Sequence, residues 1–336
     1  MKKSLLVAEV AQAHEGSINL AITFINLVKE AGYDAVKFQI HLTEFETTYD
    51  DKFRKGTLNY NKSRFEYWKK MELSEQEWIK LSSYAKKIGL EFICSIFCTE
   101  AIDILNKLPN LHSVKISSGE MYNKNLILSL KNLNKPLLIS TGMADTIEIK
   151  KLLGFLKNNK IKNYKLLHCV SSYPTKLADA NLKKIIHFKK TLGINMGYSD
   201  HTGDKTVIMS AIAIQSPIIE NHICIDRKII GPDTTSSITP KDMKEISNFN
   251  KNFNFLFNGQ YSRNNKSNTK NIKKLFSKSL SLNKDIQKGK KITEDDLALK
   301  KPGTGISVKS KRKFIGKIAK HNLSKHKLLK LSDVLK

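Results

Sequence analysis

The 336-residue chain has few cysteines and no long apolar stretch. Its four cysteines are widely spread and lie mostly within apolar runs: Cys94, Cys98, Cys169 and Cys224. The spacing of the first two differs from the usual paired spacing of a zinc site. We therefore expect buried, reduced thiols in a cytoplasmic protein rather than a disulfide framework.

No run approaches the roughly 20 apolar residues that a membrane span requires. Near the amino terminus, Glu9 and Gln12 interrupt the apolar segment from Leu5 to Ala13. Because the apolar region of a secretory signal does not normally carry a carboxylate, we interpret this segment as a first strand. Neither a signal peptide nor a membrane partner is expected.

Arginine is scarce, although the chain is strongly basic. The net charge of +27 comes from 58 basic and 31 acidic residues, and only five of the basic residues are arginine: Arg54, Arg64, Arg227, Arg263 and Arg312. Nucleic-acid sites usually draw on the planar fork of arginine, whereas the lysines here are scattered along the whole chain. We expect a solvated lysine surface, anionic small-molecule substrates and no nucleic-acid partner. A salt-dependent gel shift would indicate the alternative, a basic nucleic-acid-binding protein.

Eight short apolar runs alternate with helical patterns. The runs predict strands at Leu5–Ala11, Ala35–His41, Glu91–Phe97, Ser113–Ser117, Pro136–Thr141, Tyr164–Val170, Ile194–Ser199 and Ile218–Ile225. The helical patterns include Leu20–Ala31, Ser74–Ile88, Ala101–Leu108 and Thr146–Asn158. This order is typical of an α/β protein with a parallel sheet, and eight units close a (β/α)8 TIM barrel. A doubly wound open sheet is the alternative, but no glycine-rich dinucleotide fingerprint follows the first strand.

The composition changes near residue 259. We predict a catalytic barrel over 1–258, a polar linker over 259–275 and a small domain of short strands and turns over 276–336. About 60 residues form only a small core, so this last part is expected to lean on another surface.

Polar residues stand at or just after the end of every predicted strand. In chain order they are Glu9, Gln12, His14, Glu15, Lys37, Gln39, Ser95, Lys115, Ser117, Ser118, Glu120, Ser140, Thr141, His168, Ser171, Ser172, Tyr173, Tyr198, Asp200, His201, Glu220 and His222. Polar groups within buried strands are costly unless they find partners. Since barrel active sites gather at the carboxyl ends of the strands, the whole set predicts one pocket.

Two groups within this set indicate chemistry. Lys37 and Lys115, with the hydroxyls of Ser118 and Ser140, are suited to grip a phosphate and a carboxylate. The alternative is that the lysines are only buried partners of Glu9 and Glu120.

A second group consists of two histidines at the ends of adjacent strands. His201 and His222, with open positions for water, suit Mn²⁺, Fe²⁺ or Zn²⁺. From spacing alone, a pair of structural histidines fits equally well.

Several motifs in the same order resemble the sialic acid synthase family over essentially the whole chain. They are Ala8–Gly16, Val36–Gln39, Lys115–Glu120, Ser140–Met143, Leu167–Cys169, Tyr173–Pro174, Gly197–Thr202 and Gly231–Asp233. The carboxyl-terminal part resembles the antifreeze-like (SAF, β-clip) domain of that family.

The resemblance implies an enzyme, an N-acetylneuraminate synthase-type transferase. Phosphoenolpyruvate C3 would join the aldehyde of open-chain N-acetylmannosamine, and phosphate would leave by C–O cleavage. The small domain would be swapped onto the barrel of a partner in a homodimer. His201 and His222 match metal ligands of the family, and the expected cation is Mn²⁺, with Mg²⁺ or Co²⁺ as alternatives.

The resemblance also assigns roles to individual residues. Catalytic positions match Glu9, Lys37, Glu120 and Glu220. Phosphoenolpyruvate-binding positions match Lys37, Gln39, Ser95, Lys115, Ser118, Ser140 and Ser171. Sugar-binding positions match Tyr173, Asp233 and Lys301. Two positions depart from the family pattern, since Ser171 stands where asparagine is usual and Lys301 where an arginine before Pro-Gly is usual.

Three alternatives stay open at this point. Enzymes that make legionaminic or pseudaminic acid share nearly all these motifs and take a diacetamido-trideoxyhexose instead. An inactive sugar-binding barrel and the nucleic-acid-binding protein are more remote.

Overall fold

The structure is a computed structural model and describes residues 3–53, 63–257 and 266–335. The chain divides into two compact units, Met1–Asn258 and Gly259–Lys336. Within the described parts, no helix is both long enough and apolar enough to cross a membrane. All four cysteines are buried thiols, as predicted.

The first unit is built on a closed sheet. Its strands are β1 Leu5–Glu9, β2 Ala35–Ile40, β3 Glu91–Ile96, β4 Leu111–Ile116, β5 Leu137–Ser140, β6 Tyr164–His168, β7 Gly197–Asp200, β8 Ile218–Ile223 and β9 Ser237–Ile238. Strands β1 to β8 pair in parallel in chain order, and β8 pairs in parallel with β1. The short β9 pairs in parallel with the end of β8. The predicted (β/α)8 barrel is therefore confirmed.

Helices follow or connect the strands. They are α1 Ile18–Ala31, α2 Thr43–Glu46, α3 Arg64–Met71, α4 Glu75–Lys87, α5 Ile102–Lys107, α6 Lys124–Ser129, α7 Thr146–Asn158, α8 Lys183–Leu192, α9 Lys205–Ala213 and α10 Pro240–Phe257. Single turns of 3₁₀ helix lie at Glu120–Tyr122, Leu130–Leu133, Leu177–Asp179 and Thr234–Ser236. The four helical patterns in the sequence correspond to α1, α4, α5 and α7.

Local sequence signals fix the ends of these helices. The Ser17 hydroxyl accepts from the backbone N–H of Leu20 where α1 begins, and Gly32 ends that helix in the left-handed region at φ 79°. A capping box of Asp145 and Glu148 begins α7.

Alternation along the strands separates a packed layer from a polar one. Inward-facing side chains of six strands fill the barrel interior: Val7, Ala35, Ile93, Leu138, Leu167 and Ile218. Two residues further along each strand, the next inward position is polar or a cysteine: Glu9, Lys37, Ser95, Ser140, Cys169 and Glu220. The intervening residues pack outward against the helices in one large core. A layer of polar side chains therefore lies at the carboxyl ends of the strands, above the packed apolar layer.

The second unit has its own small core. A helix, α11 Lys266–Phe276, precedes the antiparallel strands β10 Ser279–Leu282 and β11 Leu297–Lys300. Further turns of 3₁₀ helix lie at Glu294–Asp296, Val308–Lys313 and Leu331–Asp333. The core holds Leu280, Leu282, Ile286, Ile292, Phe314, Ala319, Leu323 and Leu329.

The range predicted as a linker, 259–275, contains most of α11. Its first part, 259–265, lies outside the described residues. The polar composition suggested a linker, but the stretch from Lys266 to Phe276 contains no glycine or proline to interrupt a helix.

Candidate active site

One cavity of about 420 Å³ lies at the carboxyl ends of the barrel strands. It is lined by all the site residues predicted in the first unit: Glu9, Lys37, Gln39, Ser95, Lys115, Ser118, Glu120, Ser140, Ser171, Tyr173, His201, Glu220, His222 and Asp233. Side chains that are far apart in the sequence therefore meet because the barrel closes.

Some polar residues predicted for the pocket lie behind it instead. His168 and Asp200 are absent from the described lining. His168 Nε2 contacts the Ala180 carbonyl at 3.0 Å. Asp200 accepts from the Tyr198 hydroxyl and from the backbone N–H of Gly203, which secures the turn after β7. These groups position the lining rather than form it.

Lys301 belongs to the second unit. It is exposed, and its Nζ lies 5.3 Å from the ring centroid of Phe276 in the same unit. Its assignment to sugar binding stays a prediction.

The cavity floor is a network of buried charges. Lys115 Nζ lies 2.8 Å from Glu220 Oε1, and Lys37 Nζ lies 3.8 Å from the same oxygen. Lys37 also pairs closely with Glu9 and donates to Ser95 Oγ at 3.0 Å. The sequence suggested Glu120 as the partner of Lys115; the structure instead pairs Lys115 with Glu220, because β8 faces β4 across the barrel.

Burial and charge oppose each other on this floor. Burial alone would raise the pKa of the Glu220 carboxyl, but Lys115 and Lys37 outweigh it and lower that pKa to about 2. Burial lowers the pKa of Lys37 to about 7, against the attraction of Glu220. Glu220 is therefore an anion. A further anion bound beside Lys37 would stabilise the charged form of that lysine.

Hydroxyl groups form a second wall. The Ser118 hydroxyl accepts from the backbone N–H of Gly142 at 3.0 Å and contacts Cys169 Sγ at 3.1 Å. Among the described residues, the buried Ser140 Oγ has no hydrogen-bond partner. A buried hydroxyl without a partner is costly, so a ligand that accepts a hydrogen bond from this hydroxyl would stabilise the site.

Gly142 keeps this wall open. A Cβ at Gly142 would lie 2.6 Å from Cys169 Sγ, 2.6 Å from Ser171 Oγ and 3.0 Å from Ser118 Oγ. Only glycine allows the three side chains to approach the backbone this closely.

The two predicted metal-binding histidines stand together, with ring centroids 5.5 Å apart. His201 Nδ1 lies 2.7 Å from the Val170 carbonyl oxygen and must donate to it, which leaves the Nε2 lone pair available. Burial, and then the neighbouring His222, lowers the pKa of His201 to about 3. The neutral ring is the form that ligates metals.

The donors fit a partly open site rather than a closed one. Asp233 Oδ2 lies 3.9 Å from His222 Nδ1. In the described parts of the chain, no group of three or more His, Cys, Asp or Glu side chains is arranged to hold a metal. A cation bound by the two imidazoles would take its remaining ligands from water or substrate.

An outer wall contains cavity residues that the sequence analysis missed. It is formed by His41, Glu46, Asp51, Arg64, Trp68 and Phe97. The alternation of inward-facing residues along β3 continues past the end of the strand to Phe97, two residues after Ser95. This pattern could have identified Phe97 from the sequence. No comparable signal points to α3, which follows the β2 segment and supplies Arg64 and Trp68.

The NeuB family profile matches residues 24–260, more than half of the chain. The chain belongs to the NeuB family. The SAF domain profile matches residues 277–335, so the small unit carries the second domain that the sequence predicted.

Relatives align with this NeuB-family chain along nearly its whole length. An N,N'-diacetyllegionaminic acid synthase of Campylobacter jejuni is 34% identical over 98% of this chain and 100% of that protein. A pseudaminic acid synthase of the same species is 28% identical over 99% of this chain and 97% of that protein.

A solved structure has the same architecture. N-acetylneuraminic acid (sialic acid) synthetase from Leptospira borgpetersenii, in complex with citrate, superimposes with a TM-score of 0.68. It is 26% identical and covers 81% of this chain and 92% of its own. The fold of this NeuB-family chain and that of the synthetase therefore agree.

Proposed function

We propose that the chain condenses phosphoenolpyruvate with the open-chain aldehyde of a diacetamido-trideoxyhexose, giving a nonulosonic acid and phosphate. The observation that carries this proposal is the floor of the cavity, which is lined by two buried lysines and by Ser140, a buried hydroxyl without a described partner. A small substrate with a phosphate and a carboxylate satisfies both.

The chain's own side chains account for the bond changes. C3 of phosphoenolpyruvate attacks the aldehyde carbon, water adds at C2, and phosphate leaves with the bridging oxygen. Lys37 and Lys115 hold the anionic groups, and Glu9 accepts the proton that the water releases as it adds at C2. His201 and His222 would hold a divalent cation, with Mn²⁺ as the first candidate, and the cation would supply Lewis-acid chemistry for the aldehyde oxygen.

Two observations support a trideoxy sugar over N-acetylmannosamine, the substrate first expected from the sequence. Relatives that align over almost the full length include proteins named legionaminic and pseudaminic acid synthases. In addition, Trp68 and Phe97 give the cavity an aromatic outer wall. Aromatic rings favour the methyl groups of a deoxy, doubly acetylated sugar. N-acetylmannosamine is the second candidate, favoured by the likeness to the sialic acid synthetase.

Phosphate release from phosphoenolpyruvate tests the proposal. We expect release with Mn²⁺ and a diacetamido-trideoxyhexose, and at least about tenfold lower kcat/KM with N-acetylmannosamine, since one lost apolar group costs roughly 1–3 kcal/mol. A preference for N-acetylmannosamine would keep the reaction and change the sugar. No release with either sugar would contradict the proposal.

Replacing Gly142 with alanine should weaken phosphoenolpyruvate binding. The added methyl displaces Ser118 and Ser171, and overpacking should cost about 1–3 kcal/mol, or roughly 5- to 150-fold in KM. The matched control is Gly154→Ala at an exposed position of α7, where a Cβ meets nothing within 4 Å. Equal KM values in the two variants would show that the hydroxyl wall does not contact the substrate.

The dependence of kcat/KM on pH should report Lys37. The lowered pKa of Lys37 means that the free enzyme loses this charge as pH rises through about 7, so kcat/KM for phosphoenolpyruvate should fall above that pH. Lys37→Arg keeps a permanent charge, and its profile should be flat there even if its rate is lower. The same decline in the arginine variant would assign it to another group.

A further inference from the structure

His41 lies in the outer wall of the cavity but has no role in the chemistry described so far. It directly follows β2 and is 5% exposed. Its ring is stacked 4.6 Å from the Phe97 centroid and lies 4.1 Å from the Trp68 centroid. The two aromatic rings fix the plane of the imidazole, so the directions of its two nitrogen atoms are fixed as well.

Both ring nitrogens of His41 face oxygen atoms. Nδ1 lies 2.7 Å from Glu46 Oε2, and Nε2 lies 3.1 Å from Gln39 Oε1. The second oxygen of Glu46 accepts from the backbone N–H of Leu42, which holds the carboxylate in place at the end of α2. The contact to Gln39 is the one that connects the ring to the cavity floor.

The amide of Gln39 can have only one orientation in this network. Its Nε2 lies 3.1 Å from Glu9 Oε1, and Glu9 pairs with Lys37, so that carboxylate can only accept. Gln39 Nε2 therefore donates, and Gln39 Oε1 must accept from its other neighbours. Gln12 Nε2 donates to it at 2.7 Å, and His41 Nε2 donates from the other side. Since Nδ1 donates to the Glu46 carboxylate, the ring donates from both nitrogens, as only the imidazolium can.

The result is a directed chain of hydrogen bonds. His41 donates to Gln39, and Gln39 donates to Glu9, the carboxylate that pairs with Lys37. A reversed amide would turn Gln39 Oε1 towards Glu9 Oε1, and two acceptors would then face each other. The imidazole N–H opposes this reversal because it would lose its own acceptor.

We propose that His41 is a positioning residue for the condensation, fixing the amide of Gln39 and, through it, the orientation of the Glu9 carboxylate. This inference rests on the proposed function, because Glu9 matters only if it accepts a proton there. His41 itself acts through Gln39, so its loss should reduce turnover more than it reduces binding of phosphoenolpyruvate.

The test compares three variants with the wild-type protein in the phosphate-release assay. His41→Phe keeps a flat ring between Trp68 and Phe97 but removes the N–H. It should lower kcat roughly 10- to 100-fold, with less than about a threefold change in the KM for phosphoenolpyruvate. His41→Gln restores a donor and should recover most of the loss. His187→Phe makes the same change at an exposed histidine on α8, outside the cavity, and should lie within about threefold of wild type.

A double-variant cycle separates positioning from general damage. In a Gln39→Met background, His41→Phe should cause less than about a threefold further loss, because the residue through which it acts is gone. If the kcat losses of the two single variants multiply in the double variant, the inference is overturned. It is also overturned if the kcat of His41→Phe equals that of wild type. Either result leaves the proposed function intact. If His41→Phe does not fold, a His41→Gln variant as impaired as Gln39→Met would also overturn it. A wild-type protein that releases no phosphate with either sugar would overturn the proposed function, and this inference with it.

Discussion

Replacing Lys115 with methionine should reduce kcat/KM for phosphoenolpyruvate by about 10²- to 10³-fold. Lys115 is 5% exposed and pairs with Glu220 at 2.8 Å, so its charge is already held in place before the substrate arrives. A preorganised charge in a water-excluded site stabilises developing negative charge far more than one on the surface. Steady-state kinetics with varied phosphoenolpyruvate measures the loss.

The same substitution should also affect stability. Removing one partner of a buried ion pair typically costs about 3–5 kcal/mol because the remaining charge is unpaired. Here Lys37 stays 3.8 Å from Glu220, so the loss should fall at the lower end of that range. The control is Lys165→Met, which removes the charge of an exposed lysine on β6 and tests the effect of charge alone. If Lys115→Met binds phosphoenolpyruvate as the control does, the anion site lies elsewhere.

Replacing His222 with alanine should lower kcat by about 10²-fold or more and remove the dependence of turnover on a divalent metal. The histidine is 7% exposed, and its ring centroid lies 5.5 Å from that of His201, so the two rings can offer a pair of imidazole donors. We expect the variant to keep the fold, because the ring lines the cavity. Circular dichroism checks the fold, and turnover with and without chelator checks the metal.

The control for this substitution is His187→Ala, an exposed histidine on α8. It should retain both the wild-type rate and the wild-type response to chelator. If the wild-type protein turns over at an unchanged rate in chelated buffer, turnover does not depend on a divalent metal. The two histidines would then be interpreted as structural partners of Val170 and Asp233.

Much of the fold could be predicted because the barrel strands carry a simple pattern. Most residues of each apolar run are buried, and a polar residue comes near the carboxyl end, as with Glu9 on β1 and Gln39 on β2. The least accurate strand was the seventh, predicted from Ile194 but observed at Gly197–Asp200. Its polar Ser199 and Asp200 lie inside the strand, where they accept or donate buried hydrogen bonds.

The partners within the site were harder to predict than its members. Lys115 and Glu220 are 105 residues apart, and their meeting depends on which side chains stand at the same level inside a closed barrel. The sequence analysis had offered the nearby Glu120 only in the alternative in which the lysines are buried partners of carboxylates. His41 was missed for a similar reason, because its importance comes from the orientation of the Gln39 amide and from Trp68 on a different element.

Phosphoenolpyruvate labelled with ¹⁸O at its bridging oxygen gives the most direct test of the central claim. The label is followed by mass spectrometry during a reaction with Mn²⁺ and a diacetamido-trideoxyhexose. The account predicts one labelled phosphate for each nine-carbon keto acid formed, since C–O cleavage carries the bridging oxygen away with phosphorus. Label retained in the organic product, or phosphate formed without the keto acid, would contradict the proposed condensation.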